Sequence, residues 1–341
     1  MLTDKQVQFL REELATAKNP LFFYDGDGDG LASFLLLYKI NREGKGISLT
    51  SSGNIDGLLK RKVDELDPDK IFVLDVPSIS QDFIDYSKRP IFWIDHHQPQ
   101  ERKKVHYFNP RIKEPDAYIP TSRMAWQVSE RDEDLWIATI GCLADYHLPD
   151  FIDKFIELYP KYLSKKVDLS SIIFKQPVGK LVRLFFFLQK GPSSEVRKSI
   201  KVLSRINSPD EIFEQESNSG KFLYKRFENL NGMYEELLSE AKKCVTRSKL
   251  LLFNYSENKW SFTTNLANEL IGLYPKKMVI IARRKSGEVK CSLRGDKVQF
   301  VLEKSLVSIN GRGGGHLNAC GAVIKEEDWQ QFLKNFKREM K

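Results

Sequence analysis

The stretch Leu21-Phe22-Phe23-Tyr24-Asp25-Gly26-Asp27-Gly28-Asp29-Gly30-Leu31-Ala32-Ser33 decides the fold. Its first four residues are a continuous apolar run, as expected of a short strand buried on both faces. An acidic, glycine-rich turn follows, and a helical pattern runs from Leu31 to about Ile40. The arrangement recurs twice. Ile71-Phe72-Val73-Leu74 ends in Asp75, and Ile91-Phe92-Trp93-Ile94 ends in Asp95-His96-His97. Residues about 55–66 and 80–87 have helical periodicity, and 3–17 reads as an amphipathic helix with Thr3 as its N-cap and Pro20 behind it. Strands alternating with helices predict βαβ units and a parallel sheet, hence an α/β fold. In open parallel sheets ligands bind beyond the carboxyl ends of the strands. Asp25, Asp27, Asp29, Asp75 and Asp95-His96-His97 are therefore expected to converge at one edge. A later helix, roughly 132–144, delivers Asp145 and then His147.

The chemistry of these residues points to a hard metal. Carboxylate oxygens suit Mg²⁺ or Mn²⁺, and added imidazole moves the preference toward Mn²⁺. Three aspartates as close as Asp25, Asp27 and Asp29 repel strongly without a cation. A surface turn is the alternative for this stretch taken alone. An EF-hand loop is excluded, because its twelfth position needs glutamate and here it is Leu36, inside the apolar helix. Asp-His-His directly after an apolar strand is not ordinary turn composition. With Asp75 and Asp145 added, the donors suffice for two divalent ions, the usual device for phosphoester hydrolysis.

Composition bounds the rest. A chain of 341 residues makes two domains the natural expectation, with three allowed. Hydrophobic residues at 41% and charged residues at 29% are globular values, and no apolar run approaches a membrane span. Met1-Leu2-Thr3-Asp4-Lys5-Gln6 lacks a basic-then-apolar signal pattern, so a cytoplasmic location is expected. The net charge of +8 is compatible with a polyanionic partner but does not choose one. Cys142, Cys244, Cys291 and Cys320 contain no C-x-x-C pair, which argues against structural zinc and for buried reduced thiols. Residues about 151–247 look helical and lysine-rich, with a helix start at Ser208-Pro209-Asp210 and a long connecting helix over about 222–247. From Leu250 the pattern turns to strand–helix–strand, with Leu250–Phe253, Met278–Ile281 and Val289–Leu293 strand-like. It closes with the glycine loop Gly311–His316, a short strand and a basic helix. Gly313, Gly314 and Gly315 free backbone N–H groups for an anion, and Arg294 offers a bidentate phosphate contact. A plain glycine-rich hairpin is the alternative for that loop by itself.

In this order the motifs resemble the DHH phosphoesterase superfamily, in its branch with a C-terminal DHH-associated domain. The matching elements are Asp25-Gly-Asp27-Gly-Asp29-Gly30-Leu-Ala-Ser33, Val73-Leu74-Asp75, Asp95-His96-His97 and Gly141-Cys-Leu-Ala-Asp145. Ser292-Leu-Arg294 and Gly313-Gly314-Gly315-His316-x-x-Ala319-x-Gly321 complete them. The resemblance covers the chain except its helical middle. It implies that Asp27 and Asp75 hold one metal, and that Asp29, Asp75, His96 and Asp145 hold the other, with Asp75 shared. By the same resemblance His97 lies near the scissile phosphate as ligand or proton donor, and Asp95 orients the histidine pair. Arg294 and Gly313–His316 bind the substrate's phosphate or terminal nucleotide. Relatives often carry a histidine just before the first aspartates, in some at the position of Asp25; here Phe23 and Tyr24 precede and Asp25 fills the site as a carboxylate. Asn109-Pro110 resembles an element that positions the loop, with packing as the alternative.

The expected domains are 1–207, catalytic with a helical extension; 208–247, a helical linker; and 248–341, substrate-binding. The expected function is that of a metal-dependent phosphodiesterase with two Mn²⁺ or Mg²⁺ ions. It would hydrolyse single-stranded DNA or RNA from an end, like RecJ-type exonucleases. An oligoribonuclease or cyclic-dinucleotide phosphodiesterase is the alternative. An inactive replication or repair scaffold is a further one, which survival of the ligand set argues against. A membrane partner is not expected; a homodimer or a replication or repair partner is left open.

Overall fold

Leu21–Asp25 (β1) is an interior strand of the first sheet, and its residues are apolar on both faces. Lys45–Leu49 (β2), Ile71–Leu74 (β3), Ile91–Ile94 (β4) and His106–Phe108 (β5) complete it, all parallel, in the order β2-β1-β3-β4-β5. Phe22, Phe72 and Phe92 are aligned across β1, β3 and β4, with ring centroids 5.1 and 4.9 Å apart. Such cross-strand aromatic ladders fix register as well as burying area. Phe23, Val73 and Trp93 do the same on the opposite face. The strand order reverses direction between β1 and β3, which opens a crevice at their carboxyl ends.

The computed structural model describes residues 1–49, 54–256 and 260–340. The chain divides into Met1–Phe227 and Glu228–Lys341. In the first unit, Asp4–Thr16 (α1) begins with Thr3 and Gln6 capping each other's backbone. Gly28–Asn41 (α2), Thr121–Ser129 (α3) and Leu135–Ala144 (α4) pack on one another. Their close approach rests on Gly141, where a Cβ would stand 2.5 Å from Ala32 Cβ and 2.6 Å from Ser122 Cβ. Inside this layer Lys39 and Asp134 form a fully buried ion pair of 2.7 Å. The lysine-rich middle is helical over 152–158, 169–175, 178–188, 193–203 and 209–213, the last capped by Ser208. Asn218–Lys243 (α5) is a 26-residue helix.

In the second unit the sheet order is β9-β10-β8-β7-β6. The strands are Leu250–Tyr255 (β6), Met278–Lys285 (β7), Glu288–Arg294 (β8), Gly311–His316 (β9) and Ala319–Lys325 (β10). Among the described residues only β6 and β7 pair in parallel. Thr263–Leu273 (α6) packs on β7 and β8. Val298–Ser305 (α7) and Trp329–Glu339 (α8) bury the other face through Val298, Leu302, Trp329, Phe332 and Phe336. The basic residues of α8, Lys334, Lys337 and Arg338, are exposed.

Three local expectations are corrected. Helix α2 starts at Gly28, not Leu31, because Asp27 caps it and Gly28 packs against Ala144. Gly311–His316 is not a loop but an edge strand paired along β10, where non-local hydrogen bonds override glycine's poor strand propensity. Cys142, Cys291 and Cys320 are buried free thiols, whereas Cys244 is exposed. Among the described residues no helix is long and apolar enough to cross a membrane.

Candidate metal centre

The three acidic strand ends meet at the β1/β3 crevice. Asp25 is the last residue of β1. Gly30 allows the chain to turn back there, since a Cβ on it would sit 2.4 Å from Asp25 O. Asp27 caps α2 by accepting the Gly30 N–H at 2.9 Å. Asp29, in the first turn, points to the N-terminus of α3, where its carboxylate accepts the N–H groups of Thr121 (2.8 Å) and Ser122 (2.9 Å). A helix N-terminus favours an anion at this place.

Asp75 adopts the left-handed region, with φ +60°. Its N–H still donates to Ile94 O at 3.0 Å, so the strand pairing continues while the side chain is redirected. Strained backbone of this kind collects at functional sites. His96 Nε2 lies 3.3 Å from Asp75 Oδ1 and 3.6 Å from Asp145 Oδ2. Asp145 is the C-cap of α4. Tyr118 O–H reaches both the Asp145 carbonyl (2.7 Å) and its carboxylate (2.9 Å).

Three trios emerge: Asp25, Asp27 and Asp75; Asp29, His96 and Asp145; and Asp75, His96 and His97. Within each, one donor atom per residue lies within 4.8 Å of the others. Asp75 and His96 tie the trios into one cluster. All six residues expected as metal ligands are therefore brought together.

The electrostatics fit a cation. Burial, reinforced by the Asp27 charge, pushes Asp25 and Asp29 up to about 7. Burial and then the Asp29 and Asp27 charges push Asp145 up to about 9. Burial raises Asp27 despite the N–H of Gly30, and burial with the charges of Asp29 and Asp27 raises Asp75 strongly. Five carboxyls sharing one buried site thus resist ionising together. Burial holds His96 down to about 3, so its imidazole is neutral and offers a lone pair. Oxygen-rich donors with one or two imidazoles match Mg²⁺ or Mn²⁺.

Asp95 sits behind the cluster, fully buried. It accepts the His97 backbone N–H (3.1 Å) and pairs with His97 Nδ1 (2.7 Å). Tyr107 O–H and Asn109 Nδ2 donate to it at 3.3 Å. Asn109 also donates to His97 O at 2.9 Å, so Asn109 positions this loop. Burial opposes a charge on His97, but the Asp95 hydrogen bond and the Asp95, Asp27 and Asp25 charges prevail and raise its pKa. Of the two histidines Asp95 engages His97 and not His96, so it orients one ring rather than the pair; His96 Nδ1 has no hydrogen-bond partner among the described residues.

Arg294 and Gly313–His316 lie in the second unit, where Arg294 and His316 both stand opposite Ala319. Arg294 Nε donates to Asn268 Oδ1 at 2.7 Å, and Nη1 donates to Leu293 O at 2.8 Å. His316 and the glycines are exposed. Thr121, Ser122 and Tyr118 are functional residues that sequence reasoning does not single out. Pro120-Thr121-Ser122 before an apolar periodic stretch is a helix start, and that signal marks the anion-binding N-terminus.

A cluster of buried carboxylates and imidazoles at the switch point of a parallel sheet is a donor set that can hold a hard divalent metal. The family comparisons agree: the model of the DHH family, N-terminal domain, matches residues 22–148, and that of the DHHA1 domain matches 253–341. The chain belongs to the DHH family, whose members are metal-dependent phosphoesterases. No curated protein matches it.

Among solved structures it is similar to RecJ from Thermus thermophilus in complex with Mn²⁺, at 14% identity and a TM-score of 0.61, covering 98% of this chain and 54% of that one. The chain thus spans about half the length of that relative. It is also similar to an exonuclease RecJ bound to manganese, at 15% identity, TM-score 0.58, and 97% and 92% coverage. A third is the DHH domain of a member of the S1p family of ribosomal proteins, at 13% identity, TM-score 0.67, and 98% and 89% coverage. At these identities the likeness is one of fold.

Proposed function

We propose that this protein is a phosphodiesterase that degrades single-stranded nucleic acid from an end, using two Mn²⁺ or Mg²⁺ ions. The observation that carries the proposal is the complete donor set at the β1/β3 crevice: Asp25, Asp27, Asp29, Asp75, His96 and Asp145 in overlapping trios. In this reading Asp27 and Asp75 hold one ion, with Asp25 in reach. Asp29, Asp75, His96 and Asp145 hold the other. When bound, such ions supply Lewis acidity toward phosphoryl oxygens and acidify a water.

The protein's own groups do the rest. Asp95 fixes the His97 ring through Nδ1 and favours its protonated form, whose Nε2–H would donate to the leaving oxygen. The N-terminus of α3 and Tyr118 hold Asp29 and Asp145 in place, the kind of outer contact that orients ligands. Arg294 and Gly313–His316 receive the phosphate or terminal nucleotide, and the division at 227/228 separates the unit that hydrolyses from the unit that grips.

The experiment is hydrolysis of DNA and RNA strands labelled at either end, beside dinucleotides and duplex, with Mn²⁺. Progressive loss from one end of single strands supports the proposal. Cleavage confined to dinucleotides would replace it with an oligonucleotide or cyclic-dinucleotide phosphodiesterase. Equal rates on duplex and single strands would refute it.

A further inference from the structure

We propose that Arg312 and Lys290, on the open face of the second unit's sheet, form an additional backbone-phosphate subsite, so that the protein takes polymeric strands with more than one phosphate. This rests on the reading of the protein as a nucleic-acid phosphodiesterase.

The sheet has one covered face and one partly open face. Val289, Cys291 and Leu293 of β8 and Cys320, Ala322 and Ile324 of β10 lie in the core under α7 and α8. Side chains alternate along a strand, so Lys290, Gly321 and Val323 face the other way. Gly313 shows the sense of β9, because a Cβ on it would meet Ala322 Cβ at 2.9 Å and Leu302 Cδ2 at 3.2 Å, on the core side. Arg312 and Gly314 therefore share the open face. Pairing registers put Arg312 and Lys290 both opposite Val323, in one row across three strands. Strand spacing of ~4.8 Å leaves their Cα atoms ~10 Å apart, within reach of one phosphate for two long side chains. Glu288, on the same face of β8, pairs with Lys325 at 3.1 Å and also feels the charges of Arg312 and Lys290 without an ion pair to either. Arg312 and Lys290 are exposed and make no ion pair among the described residues.

Two rows further along stand Arg294 and His316, both opposite Ala319. Four residues of strand separate the rows, ~13–14 Å, too far for one phosphate to touch both. Between them lies the pair Gly314 and Gly321. A Cβ on Gly314 would meet nothing within 4 Å, and one on Gly321 would meet only Cys291 O at 3.8 Å. Neither has a positive φ. The protein's own packing requires glycine at neither position, and a strand glycine without such a reason marks close approach by something else. A shallow depression of about 480 Å³ borders Lys290, Arg312, Gly313, Gly321 and Val323. The layout is cation, bare floor, cation, and its length is that of two nucleotides of an extended strand, with a phosphate at each cation row and the nucleosides over the floor. The far end of the face is closed by α6, where Thr264 Oγ1 contacts Ser292 Oγ at 3.2 Å, so the strand leaves over β9.

The test compares Lys290→Ala/Arg312→Ala with Lys334→Ala/Lys337→Ala, which removes the same charge from exposed positions on α8. Binding of a labelled single strand of about 12 nucleotides is followed by anisotropy in EDTA against salt. Hydrolysis of the strand and of a dinucleotide is followed with Mn²⁺. The first variant is expected to bind the strand about tenfold more weakly, with a salt slope smaller by about 0.7–1.4. Its strand-to-dinucleotide ratio of kcat/KM is expected to fall about tenfold, while the α8 variant matches the parent. Equal losses in both variants, no loss in the first, or no strand binding by the parent would overturn the subsite. A parent that binds with this discrimination but does not cleave would overturn the phosphodiesterase reading and leave the subsite standing.

Discussion

The buried carboxylates should make the metal-free protein less stable than it need be, and Asp29→Asn tests this. Asp29 is fully buried, and its pKa is raised from 3.8 to about 7, chiefly by burial. A carboxyl with a raised folded pKa binds more protons folded than unfolded, so stability is complete at low pH and is lost as pH rises through about 4 to 7. At about pH 8 the cost of ionising Asp29 is of order 4 kcal/mol. Asparagine removes that cost but keeps only one acceptor oxygen. It therefore leaves one of the Thr121 and Ser122 N–H groups facing an amide, at roughly 1–3 kcal/mol. The variant should be more stable than the parent by ~1–3 kcal/mol at about pH 8 in EDTA, with no gain near pH 4. Urea unfolding at the two pH values measures this. Mn²⁺ at ~100 times its Kd should add roughly 2.7 kcal/mol to the parent and less to the variant, closing the gap. A variant less stable than the parent at about pH 8 without metal would refute the reasoning.

Other outcomes follow from the same geometry. Asp95→Asn should lower kcat by ~10²–10⁴ by releasing the His97 ring, and should flatten the alkaline limb of the pH–rate profile, with Mn²⁺ affinity nearly unchanged by calorimetry. Tyr118→Phe removes two hydrogen bonds to Asp145 and should weaken Mn²⁺ binding ~10-fold or more while leaving the circular dichroism spectrum intact. Gly141→Ala forces a Cβ into Ala32 and Ser122, and should cost ~1–3 kcal/mol in urea unfolding and loosen Mn²⁺ binding through the shifted helices.

The catalytic half of the fold is legible in the sequence because of particular residues. The apolar runs 21–24, 71–74 and 91–94 have no polar face, which only strands covered on both sides tolerate, and each ends in aspartate. Parallel pairing of neighbours then places Asp25, Asp75 and Asp95 at one edge. Short, partly polar β2 and β5 carry no such signal. Gly28 has the local character of a turn but is helix, because Asp27 caps it and Ala144 packs on it. Gly311–His316 has the local character of a loop but is strand, because its partner β10 supplies the hydrogen bonds. Both outcomes depend on residues distant in sequence. The same is true of Thr121, Ser122 and Tyr118, whose roles emerge only once α3 is placed over Asp29 and Asp145.

The most direct test of the metal centre is loss of an end-labelled single strand with Mn²⁺ by the parent and by Asp75→Ala. Asp75 joins the trios, so the parent should degrade the strand and the variant should be slower by at least ~10³-fold, at the same circular dichroism spectrum. Degradation by Asp75→Ala at the parental rate would contradict the account.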